Sequence, residues 1–399
     1  MKKKLRLTRK ITTIISLFMI FTLVLAGCSR DENKGQEVST GKTEGTSNDV
    51  GKNTANTDSD TKVQETASGE NGSEEELEEG VIKILYGSGL CGIPLHIAKQ
   101  LEFFEAEGLA EGVDYEYVTS STSGVEMLST KQADVSFGLV AAMLAPLDNG
   151  LEAKTVLGIH TGCIQILAGN DSGVKSVEEL KGKRIGVEQL ASSPHIVAQR
   201  VLAGAGIGTK ADNMEVEFVV FPKDDLPVAL KEGKVDAIAI GDPKANILAN
   251  DGSGVSIFNS ATSDLLKDEY CCALWVRNET IDKMPKKLAK VVTAIQKSSV
   301  WVAYNTDLAA QIQLDNEWLV GDLALDQQTL GTYHYLPSVS GVEEALTRNI
   351  LDMKELGLIR EDTDAGQLAK TSFFRLEGVE DEITETIEAP IDPASQVKK

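Results

Sequence analysis

The stretch YGSGLCGIPLHIAKQL, Tyr86 to Leu101, decides the fold class. It follows an apolar run, VIKIL (Val81–Leu85), and leads into a helical pattern. Gly87, Gly89 and Gly92 match G-x-G-x-x-G, the spacing of a dinucleotide-binding loop. Two features speak against that reading. Pro94 delays the helix until after Gly92, whereas the fingerprint starts its helix within the glycines. The next strand, DYEYVTS, ends in Thr119-Ser120-Ser121 and lacks the acidic residue that would hold a ribose. The stretch therefore reads as a strand, an open glycine loop and a helix start that presents backbone amides to a cleft.

Strand and helix patterns alternate outward from there. PLHIAKQLEFFEAEG is a helix stopped by Gly108, GVEMLSTKQ a helix, ADVSFGL a strand, AAMLAPLDNG a helix and AKTVLGIH a strand. A second set follows: SVEELKGKRIGV, a helix in SPHIVAQRVLAGAGI, strands MEVEFVVF and DAIAIGD around LPVALKEGKV, then PKANILAN, GVSIFNSA and a strand YCCALWVR. This order predicts a largely parallel sheet with covering helices. KQADVSFGL and EGKVDAIAIGD echo each other: Asp134 or Asp236 opens a strand that ends in Gly138 or Gly241. Two similar α/β lobes gather strand carboxyl ends and helix amino ends around one cleft. After Met284 the pattern is mainly helical, with long stretches at 284–304 and 342–356.

The ends read differently. MKKKLRLTRK is a basic leader, and ITTIISLFMIFTLVL is an apolar run closed by Leu25-Ala26-Gly27-Cys28. It resembles a bacterial lipoprotein signal peptide, which implies a lipidated Cys28 at the mature amino terminus. Each buried acyl CH₂ contributes roughly 0.8 kcal/mol to such an anchor. Residues 28–80 are polar, cannot offset their ordering entropy and read as a tether reaching ~40 Å. The acidic tail, 377–399, is expected to fray. The formal net charge of −22 argues against nucleic acid. Export argues against a cytosolic nicotinamide enzyme.

GIPLHIAKQLEFFEAEGL resembles the opening helix of solute-binding proteins of nitrate/sulfonate/taurine ABC importers. Pro94, Leu95, Ala98, Phe103, Phe104, Gly108 and Leu109 carry that pattern. SVEELKGKRIGV, ASSPHIVAQRVLAGAGI and ALKEGKVDAIAIGDP resemble later segments of the same family, in the same order. The resemblance implies an α/β two-lobe periplasmic-binding-protein fold (type II, flytrap), each lobe a mainly parallel sheet with flanking helices. It implies lobe 1 at 81–168 plus 271–376, and lobe 2 at 169–270. It implies a non-catalytic receptor that captures a small solute and hands it to an ABC permease and its ATPase, as a monomer held to the membrane through Cys28. A ligand sensor docked on a signalling protein, a pyrimidine-precursor synthase and a metal-binding member are the alternatives.

Candidate ligand residues lie in the loops: Gly89, Leu90 and Cys91 after the first strand; Ser121, Ser123 and Gly124 in TSSTSG; Gly138 and Leu139 at the third strand end; His160; and Ser192, Ser193 and His195 at a helix start. Capping is the blander role for the hydroxyls, with Ser193 and Asp242 as candidate N-caps. Asp242, at a strand end, would repel a simple anion and suit an ammonium group, which points to an aminosulfonate. No Arg or Lys falls in these loops. The five cysteines are Cys28, Cys91, Cys163, Cys271 and Cys272, without zinc-finger spacing. HTGC (His160–Cys163) holds a chelating pair, and a Cys91–Cys163 disulfide or free buried thiols are the other readings. Cys271 and Cys272, adjacent in a strand, are expected on opposite faces. No metal and no cofactor are expected.

Overall fold

The computed structural model describes residues 78–398, apart from 88, 121 and 320. The leader, Cys28 and nearly all of the expected tether lie outside the described residues, as does the candidate Ser121.

Two five-stranded sheets form the frame. The strands are β1 (Ile82–Leu85), β2 (Tyr115–Val118), β3 (Val135–Leu139), β4 (Ala153–Thr161), β5 (Ile164–Ala168) and β6 (Arg184–Val187). A two-stranded ribbon, β7 (Thr209–Lys210) and β8 (Asn213–Met214), precedes β9 (Glu217–Val220), β10 (Ala237–Gly241), β11 (Val255–Asn259) and β12 (Tyr270–Arg277). The first sheet has the order β2-β1-β3-β12-β4 and the second β11-β5-β10-β6-β9. In each sheet the βαβ strands pair parallel, and the strands that enter from the other sheet pair antiparallel.

The sequence echo has a structural cause. Asp134 accepts a hydrogen bond from the Lys83 amide at 3.0 Å, and its own amide donates to the Lys83 carbonyl at 2.8 Å. Asp236 repeats this with Arg184: the amide of Arg184 donates to its carboxylate at 2.8 Å, and the Asp236 amide donates to the Arg184 carbonyl at 2.8 Å. In both sheets a carboxylate thus closes the backbone groups where one parallel strand begins beside another.

The chain crosses between the sheets at Gly162–Cys163 and returns through residues 260–269. The first lobe was expected to run to residue 168, but Ile164–Ala168 pairs with β10 and β11 in the second sheet. No break is visible in the sequence there, because only one glycine separates two buried runs. The crossings are tied together: the Ser260 hydroxyl accepts from the amides of Cys163 and Ile164, both at 3.0 Å. Gly162 has φ +69, and a Cβ there would stand 2.4 Å from Ala261 Cα, so this close approach admits only glycine.

Helices Ile93–Gln100 and Pro285–Tyr304 cover one face of the first sheet, and Val140–Asp148 and Val339–Glu355 the other. Trp275 and Trp301 are core residues. Glu78 is not tether: its carboxylate accepts from the Lys286 and Lys287 amides, both at 2.9 Å, at the start of the 285–304 helix. The tail does not fray: Val379, Ile387, Ala389, Ile391 and Val397 pack on the core, and Asp381 accepts from the Ser340 amide at 2.7 Å.

Candidate functional site

A cavity of about 320 Å³ lies between the carboxyl ends of the two sheets. The first sheet contributes the loop after β1 (Tyr86, Gly87, Gly89, Cys91), Ser120 and Thr122 after β2, and Phe137, Gly138 and Leu139 of β3. The second contributes Glu188 after β6, Pro194, Lys223 after β9, and Gly241 and Asp242 after β10. Ile164 and the sulfur-bearing Cys163 and Cys272 line its hinge side. Strand ends converge here because parallel strands all deliver their following loops to one edge.

The local chemistry explains each wall. Gly89 sits at φ +144, a conformation that side-chain-bearing residues rarely adopt, and it leads into the turn Leu90–Gly92 and the helix at Ile93. Leu90 is buried away from the cavity, where its carbonyl accepts from the Tyr335 hydroxyl at 2.6 Å. Ser123 caps the helix Gly124–Ser129 by accepting from the Glu126 amide at 3.3 Å, while Gly124 lines the cavity. The helix Ser193–Gly204 begins one residue earlier than expected: Ser192 holds the N-cap position and donates its hydroxyl to the Gln189 carbonyl at 2.7 Å. Ser193 is buried in a small adjoining space beside Arg200 and Glu269. His195 faces inward, accepting from the Ala191 amide at 2.9 Å and meeting the Phe218 ring edge-on. It shapes the loop from behind. His96 is likewise a packing residue, stacked on Trp318 and edge-on to Tyr86, and burial pulls its pKa down to about 4.

Asp242 faces the cavity; Pro243 holds the N-cap position of the next helix, and the Asp242 carboxylate reaches the Asn246 amide of its first turn. Its carboxylate accepts from Gln165 Nε2 at 3.0 Å and from the Tyr333 hydroxyl at 3.3 Å. Burial, with a contribution from Cys91, pushes its pKa up to about 7. Near neutrality it is therefore poised between acid and carboxylate. Lys223 corrects the expectation that no cation reaches the loops, and Glu188 adds a carboxylate. Both follow strand ends in the second sheet, as the other cavity loops do.

The cysteines hold the largest departure. Cys91, Cys163, Cys271 and Cys272 are free thiols. Cys163 Sγ lies 3.3 Å from Cys271 Sγ and 3.9 Å from Cys272 Sγ, and the last two are 3.7 Å apart. Adjacent strand residues normally diverge, but the register of β12 against β4 shifts on both sides of Cys272, which lets the two side chains converge. His160 is fully buried, stacked 5.0 Å from Tyr333 with the rings 3° from parallel. Burial pushes the Cys272 thiol well up; at Cys271 burial is outweighed by the Cys163 and Cys272 thiols, which bring it down to about 6.

Residues 75–314 match the NMT1-like family. The chain belongs to that family. It is 25% identical over 254 residues to a Bacillus subtilis (strain 168) protein named for aliphatic sulfonate binding, covering 62% of this chain and 73% of that one. Among solved structures it is similar to the alkanesulfonate-binding protein of Xanthomonas axonopodis pv. citri bound to MOPS, with TM-score 0.62, 20% identity, and coverage of 75% of this chain and 100% of that one. It is also similar to the periplasmic nitrate-binding protein of Synechocystis PCC 6803, with TM-score 0.61, 14% identity, and coverage of 75% and 87%. The NMT1-like chain thus has the periplasmic-binding-protein fold, with a mixed sheet in each half.

Proposed function

We propose that this protein is the extracytoplasmic solute-binding component of an ABC importer, and that its inter-sheet cavity captures a small zwitterionic solute of the aminosulfonate class. The cavity's composition carries the reading: one cation, Lys223, and two acidic side chains, Glu188 and Asp242, stand among glycine-rich backbone at converging strand ends. A sulfonate is held by Lys223 and loop amides, and an ammonium by the carboxylates. The names of the Bacillus and Xanthomonas relatives support the sulfonate half of this assignment. The sheets act as two lobes about the 162–163 and 260–269 crossings, closing on the solute through its differential affinity for the closed state. In this reading Cys28 carries the acyl anchor, the protein works as a monomer, and a membrane permease with its ATPase receives the solute.

A thermal-shift screen against sulfonates, nitrate, bicarbonate, pyrimidines, amino acids and metal salts tests the assignment. Stabilisation by aminosulfonates above simple anions is the expected result. Stabilisation by nitrate or a pyrimidine alone would replace the proposed solute class.

A further inference from the structure

We propose that the hinge wall of the cleft is a binding site for a thiophilic tetrahedral cation, Zn²⁺ in the first instance, held by Cys91, Cys163, Cys272 and His160. Sγ of the three cysteines and a ring nitrogen of His160 all lie within 4.8 Å of one another. Tetrahedral zinc–thiolate bonds of ~2.3 Å place neighbouring sulfurs about 3.8 Å apart. The Cys163–Cys272 separation is 3.9 Å. The remaining donor pairs, all within 4.8 Å, exceed the spacing of a tetrahedral zinc site by no more than about 1.3 Å.

The imidazole supplies an independent observation. With Nδ1 donating to the Thr161 carbonyl at 3.1 Å, the ring's lone pair is on Nε2. Nε2 is buried and has no hydrogen-bond partner. An unsatisfied buried acceptor is costly, and ligation to a cation satisfies it. A ligating histidine whose other nitrogen donates to a backbone carbonyl is the usual metal arrangement. Three thiols and an imidazole form a donor set that selects zinc or another soft cation over magnesium or calcium.

The fold places these donors with little freedom. Cys91 rides on the turn between β1 and the 93–100 helix, His160 on β4, Cys163 on the crossing and Cys272 beside the β12 irregularity. Ser260 fixes the Cys163 amide. Cys271, 3.3 Å from Cys163, 3.7 Å from Cys272 and 3.8 Å from His160 Nδ1, stands outside the four-donor group and is left as an outer neighbour of the ion. On binding, each coordinating thiol releases its proton to solvent, so occupancy rises with pH. The site shares a wall with the solute cavity but rests on its own donors, whatever the solute.

The test uses the full chain, reduced, stripped with a chelator and titrated with Co²⁺ and then Zn²⁺. The expected result is one ion per chain, a thiolate-to-cobalt charge-transfer band with tetrahedral visible bands, and loss of both on adding Zn²⁺. Cys163→Ser and Cys272→Ser remove the charge-transfer band or shift it to fewer sulfurs, whereas Cys271→Ser retains it. X-ray absorption at the zinc edge of the unaltered chain, which requires no variant to fold, should show three sulfur neighbours at ~2.3 Å and one nitrogen at ~2.0 Å. A shell of nitrogen and oxygen only, a Cys163–Cys271 disulfide in the native chain, or a cobalt band indifferent to Cys163→Ser overturns the proposal. Calorimetry of the chelated protein with aminosulfonates reads the solute assignment separately, so either can fail alone.

Discussion

Gly162 faces Ala261 so closely that a Cβ on the glycine would lie 2.4 Å from the alanine Cα and 2.9 Å from its amide nitrogen. These two residues are where the crossings between the sheets touch. The contact is backbone on both sides, so neither partner can turn away. With φ +69 at Gly162, even alanine is strained. Gly162→Ala is expected to cost at least about 2 kcal/mol and to lower the thermal midpoint measurably. A neutral result in a denaturation series would mean that the crossings are looser than described.

Arg200 links the two halves beside the return crossing, at Glu269. Its guanidinium pairs with Glu269 at 2.6 Å and with Asp352 at 2.7 Å, and donates to Asn349 at 3.1 Å. The arginine comes from a helix over the second sheet, and Asp352 and Asn349 from a helix over the first. Arg200→Ala leaves Glu269 buried with Asn349 and with the exposed Arg348 3.7 Å away, and should destabilise by ~3 kcal/mol. Arg200→Met with Glu269→Met should recover much of that loss. Chemical denaturation of both variants checks the pair.

His96 gives the acid limb of stability a signed contribution. Burial lowers its folded pKa to about 4, below the ordinary 6.5. As pH falls through 6.5 the unfolded chain takes up this proton first, so the contribution is lost between about 6.5 and 4 and is whole above 6.5. His96→Phe keeps an aromatic ring against Trp318 and removes the titration. The difference in stability between variant and parent should widen in the variant's favour as pH drops through that window. A pH-independent difference would contradict the burial of an imidazole there.

Much of this architecture was legible in the sequence. Buried β-branched runs such as Ile82–Leu85 and Ala237–Gly241 are short and bounded by glycine, and Pro94 and Pro194 mark helix starts. The strand-end loops after β1, β2, β3 and β10 were legible for the same reason. Lys223 lies in the short link between the β9 strand and the following helix, a strand end of the same kind as the loops read as ligand-binding. The thiol cluster was illegible because it depends on a register shift in β12 and on a crossing with only one glycine between two apolar runs. Periodicity carries no trace of either. The packed tail was missed because its apolar residues come singly, without a period.

The two charges of the cavity are separable by substitution. Asp242→Asn keeps the side chain's shape and one acceptor oxygen for Gln165 or Tyr333 and removes the ionisable proton, so it should weaken an aminosulfonate more than a plain alkanesulfonate. Removing one ion pair partner at a desolvated site costs ~1.5–3 kcal/mol, or roughly 10- to 150-fold in affinity. Equal loss for both ligands would assign Asp242 to structure alone.

The most direct test of the central claim is a calorimetric titration of the chain and of Lys223→Ala with a small aminosulfonate. Saturable one-site binding to the parent chain is expected, weakened at least tenfold in the variant. Absence of heat with the parent, or the same affinity in both proteins, would contradict a sulfonate-binding cleft built on Lys223.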